Sequence, residues 1–167
     1  FGLSLALLSG GVPQLGVVFD PVRDELFTAV RGGGAYCNGS PLSVRRTPRL
    51  ADCVGVLDLK RLPRHTALRL VTDQPFHSQR NFGSSVLEWC WLAAGRVDFY
   101  LHGGQNLWDF AAGALIAQEA GADIATLEGE PLFAGDILRR SLLALGSATV
   151  RAELAPYLSP DGAETGG

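Results

Sequence analysis

Residues 106–122 read NLWDFAAGALIAQEAGA. A Trp-Asp pair runs directly into alanines, glycines and aliphatic residues, which predicts a helix over Asp109–Ala120 with Gly121 as its stop. Asp109 stands at the mouth of that helix. There a carboxylate accepts backbone N–H bonds and faces the positive end of the helix dipole, so spacing alone reads it as a cap. Helix N-termini also bind phosphate, and a carboxylate there can hold Mg²⁺, which takes one or two carboxylates together with waters and substrate oxygens. Both readings of Asp109 stand at this point.

Working outward, Ile124–Leu127 and Ser141–Leu145 read as strands and Ala148–Tyr157 as a closing helix, followed by a frayed tail. Upstream, Val97–Leu101 is a strand. Ser84–Ala94 is a helix ending at Gly95, Arg64–Val71 a further helix, and Cys53–Leu57 a buried strand. Strand and helix alternate through this portion, which implies an α/β layer. Before Pro48 the texture is different. Short strands at Leu3–Leu8, Leu15–Phe19, Glu25–Val30 and Leu42–Val44 are joined by tight polar connections, as in an antiparallel sheet. The chain divides on this reading into 1–46, antiparallel strands belonging to an α+β domain; 47–160, an α/β domain; and a disordered tail, 161–167.

The 167 residues are 47% hydrophobic and 19% charged, with a net charge of −3. That balance suits a globular chain and disfavours a nucleic-acid backbone or an anionic membrane as partner. Lys60, Arg61 and Arg64 form a local basic cluster too sparse to track phosphates, and read as a solvated turn. No run of about twenty apolar residues could cross a bilayer. Cys37, Cys53 and Cys90 match neither a zinc pattern nor a redox pair, which suggests reduced thiols in a cytoplasm-like compartment. The chain holds no methionine and opens on FGLSLALLSGG, so it is expected to be a piece of a longer protein.

Among the remaining candidates, the glycine-rich RGGGAY at 31–36 has neither dinucleotide nor P-loop spacing and reads as a turn with positive φ. His65, His77 and His102 lack ligand spacing. Ser84 and Ser85 follow Gly83 at the start of a helix, as caps or as groups that touch an anion. Trp89 and Trp91, two apart on one helix, face different ways, one toward the core and the other toward an interface or cleft.

LGVVFDPVRDELFTAVRGGGAYCNGSPLSV at 15–44 resembles the central hairpin region of the inositol monophosphatase-like family. SQRNFGSSVLEWCWLAAGRVDFYLHGGQNLWDFAAGALIAQEAGA at 78–122 resembles the family's downstream signature, with Gly83, Ala93-Ala94-Gly95-Arg96 and Asp98 in register. The Trp-Asp-x-Ala-Ala-Gly-Ala element at Trp108–Ala114, followed by Glu119-Ala-Gly, is specific to that family.

The resemblance implies a layered αβαβα sandwich of the α/β class with its N-terminal part missing. It also implies Mg²⁺-dependent, lithium-sensitive hydrolysis of a small phosphomonoester, often in a homodimer; the expectation of a cytoplasmic protein without a nucleic-acid or membrane partner rests on the cysteines, charge and hydropathy above. It makes Asp109 a metal ligand and places Gly83, Ser84 and Ser85 near the substrate. Inositol-specific members carry, seven residues before the metal-binding Asp, a Glu that hydrogen-bonds a sugar hydroxyl; this chain has His102 there, a substrate-binding candidate that can donate as well as accept, and the difference sets inositol phosphate apart from the expected substrate. The family's upstream Gly-Glu-Glu and Asp-Pro-Ile-Asp-Gly-Thr segments do not occur. Asp20-Pro21-Val22-Arg23-Asp24 imitates the second but sits in the hairpin region. The resemblance thus covers the C-terminal three-fifths of a member, assigns no catalytic residue beyond the metal ligand, and implies little or no activity for this piece alone. The alternatives are a non-catalytic scaffold or interaction module of the same fold, and a related bisphosphate nucleotidase, sugar phosphatase or histidinol phosphatase.

Overall fold

Short apolar strands joined by tight turns build the first sheet. In the computed structural model, which describes residues 1–159, strands β1 (Leu3–Ser9), β2 (Val12–Asp20), β3 (Glu25–Val30), β4 (Ala35–Cys37) and β5 (Ser40–Pro41) pair in that order, each antiparallel to the next. Val18, Phe27, Ala29 and Ala35 point inward and are buried. The strand expected at Leu42–Val44 does not form. The last strand is Ser40–Pro41, because the turn at Asn38-Gly39, both at positive φ, returns the chain at once against β4.

The second sheet is mixed. Strands β6 (Val54–Leu57), β7 (Ser78–Arg80), β8 (Phe99–Asn106), β9 (Asp123–Ala125) and β10 (Arg139–Leu145) lie in the order β7-β6-β8-β10-β9. β6 runs parallel to β7 and β8, while β10 runs antiparallel to β8 and β9. Both of its faces are covered. Val56, Tyr100, Leu142 and Ala144 join the core shared with the first sheet, whereas Leu57, Phe99, Leu101, Leu143 and Leu145 join a second cluster.

Helices α2 (Ser85–Ala93) and α3 (Leu107–Glu119) fill the space between the sheets; α1 (Arg64–Asp73) and α4 (Ala148–Leu158) lie on the far face of the second. The described residues thus form four layers, β, α, β and α, of the expected αβαβα arrangement. The tail expected to be disordered, 161–167, lies outside the described residues.

Two glycines make the middle layer possible. A Cβ on Gly113 would sit 2.4 Å from Trp89 Cβ, so α3 and α2 touch almost backbone to backbone there. A Cβ on Gly16 would sit 2.7 Å from the Ala112 carbonyl oxygen, which brings β2 equally close to the other side of α3. The RGGG segment is the expected turn, and it also has a partner. The N–H groups of Gly32 and Gly34 donate to the two carboxylate oxygens of Glu119 at 2.8 and 2.9 Å, fastening the β3–β4 turn to the last residue of α3.

Candidate functional site

Strand β8 passes into α3 with no intervening loop: Asn106 ends the strand and is the residue preceding the helix. The helix starts at Leu107, two residues earlier than the sequence suggests, so the cap position belongs to Asn106. Asp109 therefore lies inside the first turn. Its carboxylate is approached by Asn106 Nδ2 at 3.5 Å and accepts no helix N–H among the described hydrogen bonds. The capping reading fails on this geometry. What remains is a half-buried carboxylate beside the positive end of α3.

His102 sits on β8 with its side chain 8% exposed. Its Nδ1 accepts the N–H of Gly104 at 3.0 Å, and its Nε2 lies 3.7 Å from Asp58 Oδ2. Burial pushes its pKa below the ordinary imidazole value. The carboxylates of Asp58 and Asp109 pull it up, and the guanidinium groups of Arg61 and Arg139 push it further down. The ring is therefore neutral around pH 7.

The start of α2 is held from below. Glu88, buried, accepts the N–H groups of Phe82 at 2.9 Å and Gly83 at 3.2 Å through one oxygen, while Asn81 Oδ1 also accepts from Gly83 at 3.0 Å. Gly83 has φ +75°, a value that favours glycine. Ser84 takes the cap position expected of it, but its side chain makes no capping bond. The Tyr100 hydroxyl faces Ser85 and Glu88 and accepts from Gln105 Nε2, while Trp89 Nε1 donates to Gln105 Oε1 at 3.0 Å. Tyr100 and His102 stack edge-on with ring centroids 6.4 Å apart. Tyr100 and His102 thus lie on the strand that leads into Asp109, with Ser85 facing Tyr100 from the start of α2 and Gly83 and Ser84 just before it. Gln105, Glu88 and Asp58 complete the arrangement without any local motif to announce them; each acts through residues distant in sequence or on another element.

Other candidates take structural places. Both tryptophans are buried: Trp89 is fully enclosed, and Trp91, 7% exposed, lies under Arg23 and against Phe82 rather than opening on a cleft. Asp98 is buried, accepting from Val54 N at 2.7 Å and from Thr47, with Arg45 at 3.5 Å. Asp20 anchors its own turn through Val22 N and Arg23, consistent with a hairpin role. His65 and His77 are exposed. The three cysteines are free, and burial raises the Cys53 and Cys90 thiols, which makes them weak nucleophiles. Among the described residues no three His, Cys, Asp or Glu side chains gather as a metal-binding group. Asp109 fits the part of one Mg²⁺ ligand and cannot by itself make a complete site.

A two-sheet sandwich, with a half-buried carboxylate in the first turn of its central helix, defines a class of layered α/β proteins. The chain belongs to the inositol monophosphatase family, whose description matches residues 1–159. It is 40% identical over 134 residues to the Nus factor SuhB of Pasteurella multocida, covering 77% of this chain and 50% of that one. It is 40% identical over 126 residues to inositol monophosphatase 1 of Solanum lycopersicum, covering 71% and 46%. The solved extragenic suppressor protein suhB of Bartonella henselae superposes with a TM-score of 0.83 at 35% identity, over 96% of this chain and 63% of that one. The chain spans about half the length of the curated relatives it matches. Among the described residues no helix is long and apolar enough to cross a membrane.

Proposed function

We propose that the protein carrying this chain hydrolyses a small phosphorylated polyol, sugar or nucleotide with Mg²⁺, as a cytoplasmic homodimer, and that Asp109 is one of the metal ligands. Family membership supports a phosphatase. The observation that carries the reading is the Asp109 carboxylate, set at the positive end of α3 and not spent on the helix's own N–H groups.

The cation, when bound, supplies positive charge against the phosphate oxygens. The chain's own residues hold and orient the ester. Asp109 contributes one anionic ligand, and the N-terminal amides of α3 favour the negative charge that shares the site. Gly83, Ser84 and Ser85, fixed by Glu88 and Tyr100, offer backbone and hydroxyl groups at the start of α2. His102, neutral, offers a hydrogen bond rather than a charge to the alcohol portion. One carboxylate holds Mg²⁺ weakly, so the 167 residues by themselves turn over little or nothing.

The test is phosphate release with Mg²⁺ from a panel of inositol, sugar, nucleotide and histidinol phosphates, using the intact protein. Asp109→Asn is expected to abolish release while leaving the thermal midpoint nearly unchanged. Turnover that survives this change at ordinary Mg²⁺ sinks the assignment. The second reading, a non-catalytic interaction module, draws on the relative described as a Nus factor. It predicts no release from any ester by the unaltered protein.

A further inference from the structure

The turn between β2 and β3 reaches the start of α2 through two aromatic rings. Asp20 is fully buried and holds that turn from inside. Its carboxylate accepts the N–H of Val22 at 3.0 Å, the N–H of Arg23 at 3.3 Å and Arg23 Nη1 at 3.0 Å. The Arg23 side chain is thereby fixed at its root and at its tip, although about half of it is exposed. A guanidinium tied down in this way has little rotamer freedom left to lose on making a further contact.

That contact is Trp91. The guanidinium carbon lies 4.9 Å from the centre of the indole, within cation–π range. Trp91 in turn meets Phe82 edge-on, with ring centroids 4.7 Å apart and planes at 86°. The indole Nε1–H is buried and finds no acceptor among the described residues, so no hydrogen bond orients the ring. In Trp89, two residues earlier, the same group is held by Gln105. The orientation of Trp91 therefore depends on packing and on its two ring contacts.

Phe82 is the residue before Gly83. Its N–H and that of Gly83 converge on Glu88 Oε1, at 2.9 and 3.2 Å, which fastens the segment from within α2. Gly83, at φ +75°, leaves the chain more alternatives than any other residue type would. A restraint from outside the helix comes from the Phe82 ring. That ring is not pinned by burial, since Phe82 is 46% exposed, so Trp91 supplies the contact that places it.

We propose that Arg23 is a positioning residue for Gly83, Ser84 and Ser85: acting through Trp91 and Phe82, it holds their backbone and hydroxyl groups in the arrangement that meets the phosphate ester. This rests on the reading that the segment faces the ester, and it gives the hairpin of the first sheet a part in substrate binding. Removing the cation loosens the indole and then the Phe82 ring. The segment must afterwards be ordered by the ligand itself, which costs affinity. Asp109 lies on another helix and is untouched by this chain of contacts, so the effect falls on phosphate and not on Mg²⁺.

The test uses the intact protein with inorganic phosphate as the probe, following the Gly83 amide and the Trp91 indole in ¹H–¹⁵N spectra. Affinity for Mg²⁺ alone, and for phosphate at saturating Mg²⁺, is measured in the unaltered protein, in Arg23→Ala and in Arg23→Lys. Arg23→Ala is expected to move both signals before any ligand is added, to weaken phosphate binding about threefold to tenfold and to leave Mg²⁺ affinity unchanged. Arg23→Lys, which keeps a cation over the ring, is expected to recover most of the loss. The side chain lies at the surface, so its truncation removes no core packing, and an unchanged thermal midpoint verifies this. Unchanged phosphate affinity in Arg23→Ala, Mg²⁺ and phosphate affinities that fall together, a Gly83 amide that stays in place in that variant, or a lysine variant no better than the alanine one each overturns the proposal. Phosphate bound at Gly83 without release from any ester sinks the hydrolase reading alone; release by a protein whose phosphate affinity is indifferent to Arg23 sinks the positioning role alone.

Discussion

Glu119 shows how a single side chain can settle the meaning of a motif. The glycines at 32–34 suggest a phosphate cradle by composition, yet two of their N–H groups already hold a carboxylate from α3. Hydrogen bonds to a charged acceptor are the stronger kind, so Glu119→Ala is expected to cost about 2 kcal/mol, leaving both amides without their partner. Urea unfolding reads the loss, and faster amide exchange confined to Gly32 and Gly34 locates it; unchanged exchange there means the contact contributes nothing. His102 gives a pH dependence with a definite sign. Burial, opposed by Asp58 and Asp109 and aided by Arg61 and Arg139, holds its pKa below the ordinary value. The unfolded chain therefore takes up this proton first as pH falls. The contribution of His102 to stability is complete above about pH 6.5 and is lost progressively from there down through the folded-state pKa. Unfolding midpoints measured from neutral pH downward are expected to drop across that window, and His102→Gln is expected to flatten that part of the curve. A variant with the same slope as the parent assigns the slope to other groups.

At the scale of elements, the central helix works because its neighbours come so near. Trp89 Cβ lies where a Gly113 side chain would begin, and the contact involves the root of a side chain held on another helix. Gly113→Val is therefore expected to destabilise by about 1–3 kcal/mol, although valine is apolar and the site is in the core. Chemical denaturation checks this, and a neutral result means α2 and α3 can separate without loss. The same closeness explains what could and could not be read from sequence. β3 was legible to the residue, since Glu25–Val30 alternates buried and exposed positions. β7 was not: Ser78–Arg80 is polar throughout and is a strand because β6 lies alongside. β8 runs on past Leu101 through Gly103 and Gly104, a pair that looks like a break in sequence and is in fact room for the Arg61 backbone and the Arg139 guanidinium. The candidate site divides in the same way. Asp109 and His102 lie within one continuous strand–helix signature that its sequence carries openly. Asp58 is brought to His102 by the pairing of two strands, a contact that no local pattern in the sequence records.

At the scale of the whole molecule, the outer face of the first sheet departs from the usual pattern. An antiparallel sheet with one solvated side normally alternates apolar inward and polar outward. Here most outward positions are apolar too, Thr28 opposite Val17 being the polar one in β3. Leu3 pairs with Phe19 and Phe19 with Leu26; Leu5 with Val17; Leu7 with Leu15 and Leu15 with Val30. Leu3, Leu5 and Leu7 are 64%, 61% and 59% exposed, with Leu26 and Val30 exposed beside them. Among the described residues, β1 also has an unpaired edge in this sheet. A largely apolar face next to an open strand edge favours association. The 167-residue chain is therefore expected to self-associate on concentration, with weight-average mass in sedimentation rising across a dilution series. The double substitution Leu5→Lys with Leu7→Lys places two charges at the centre of the face without touching the buried side of β1, so it is expected to shift the distribution toward monomer while leaving the circular dichroism spectrum intact. A chain that stays monomeric at every concentration, or a double variant that associates as strongly as the parent, shows that the exposed leucines do not drive the assembly.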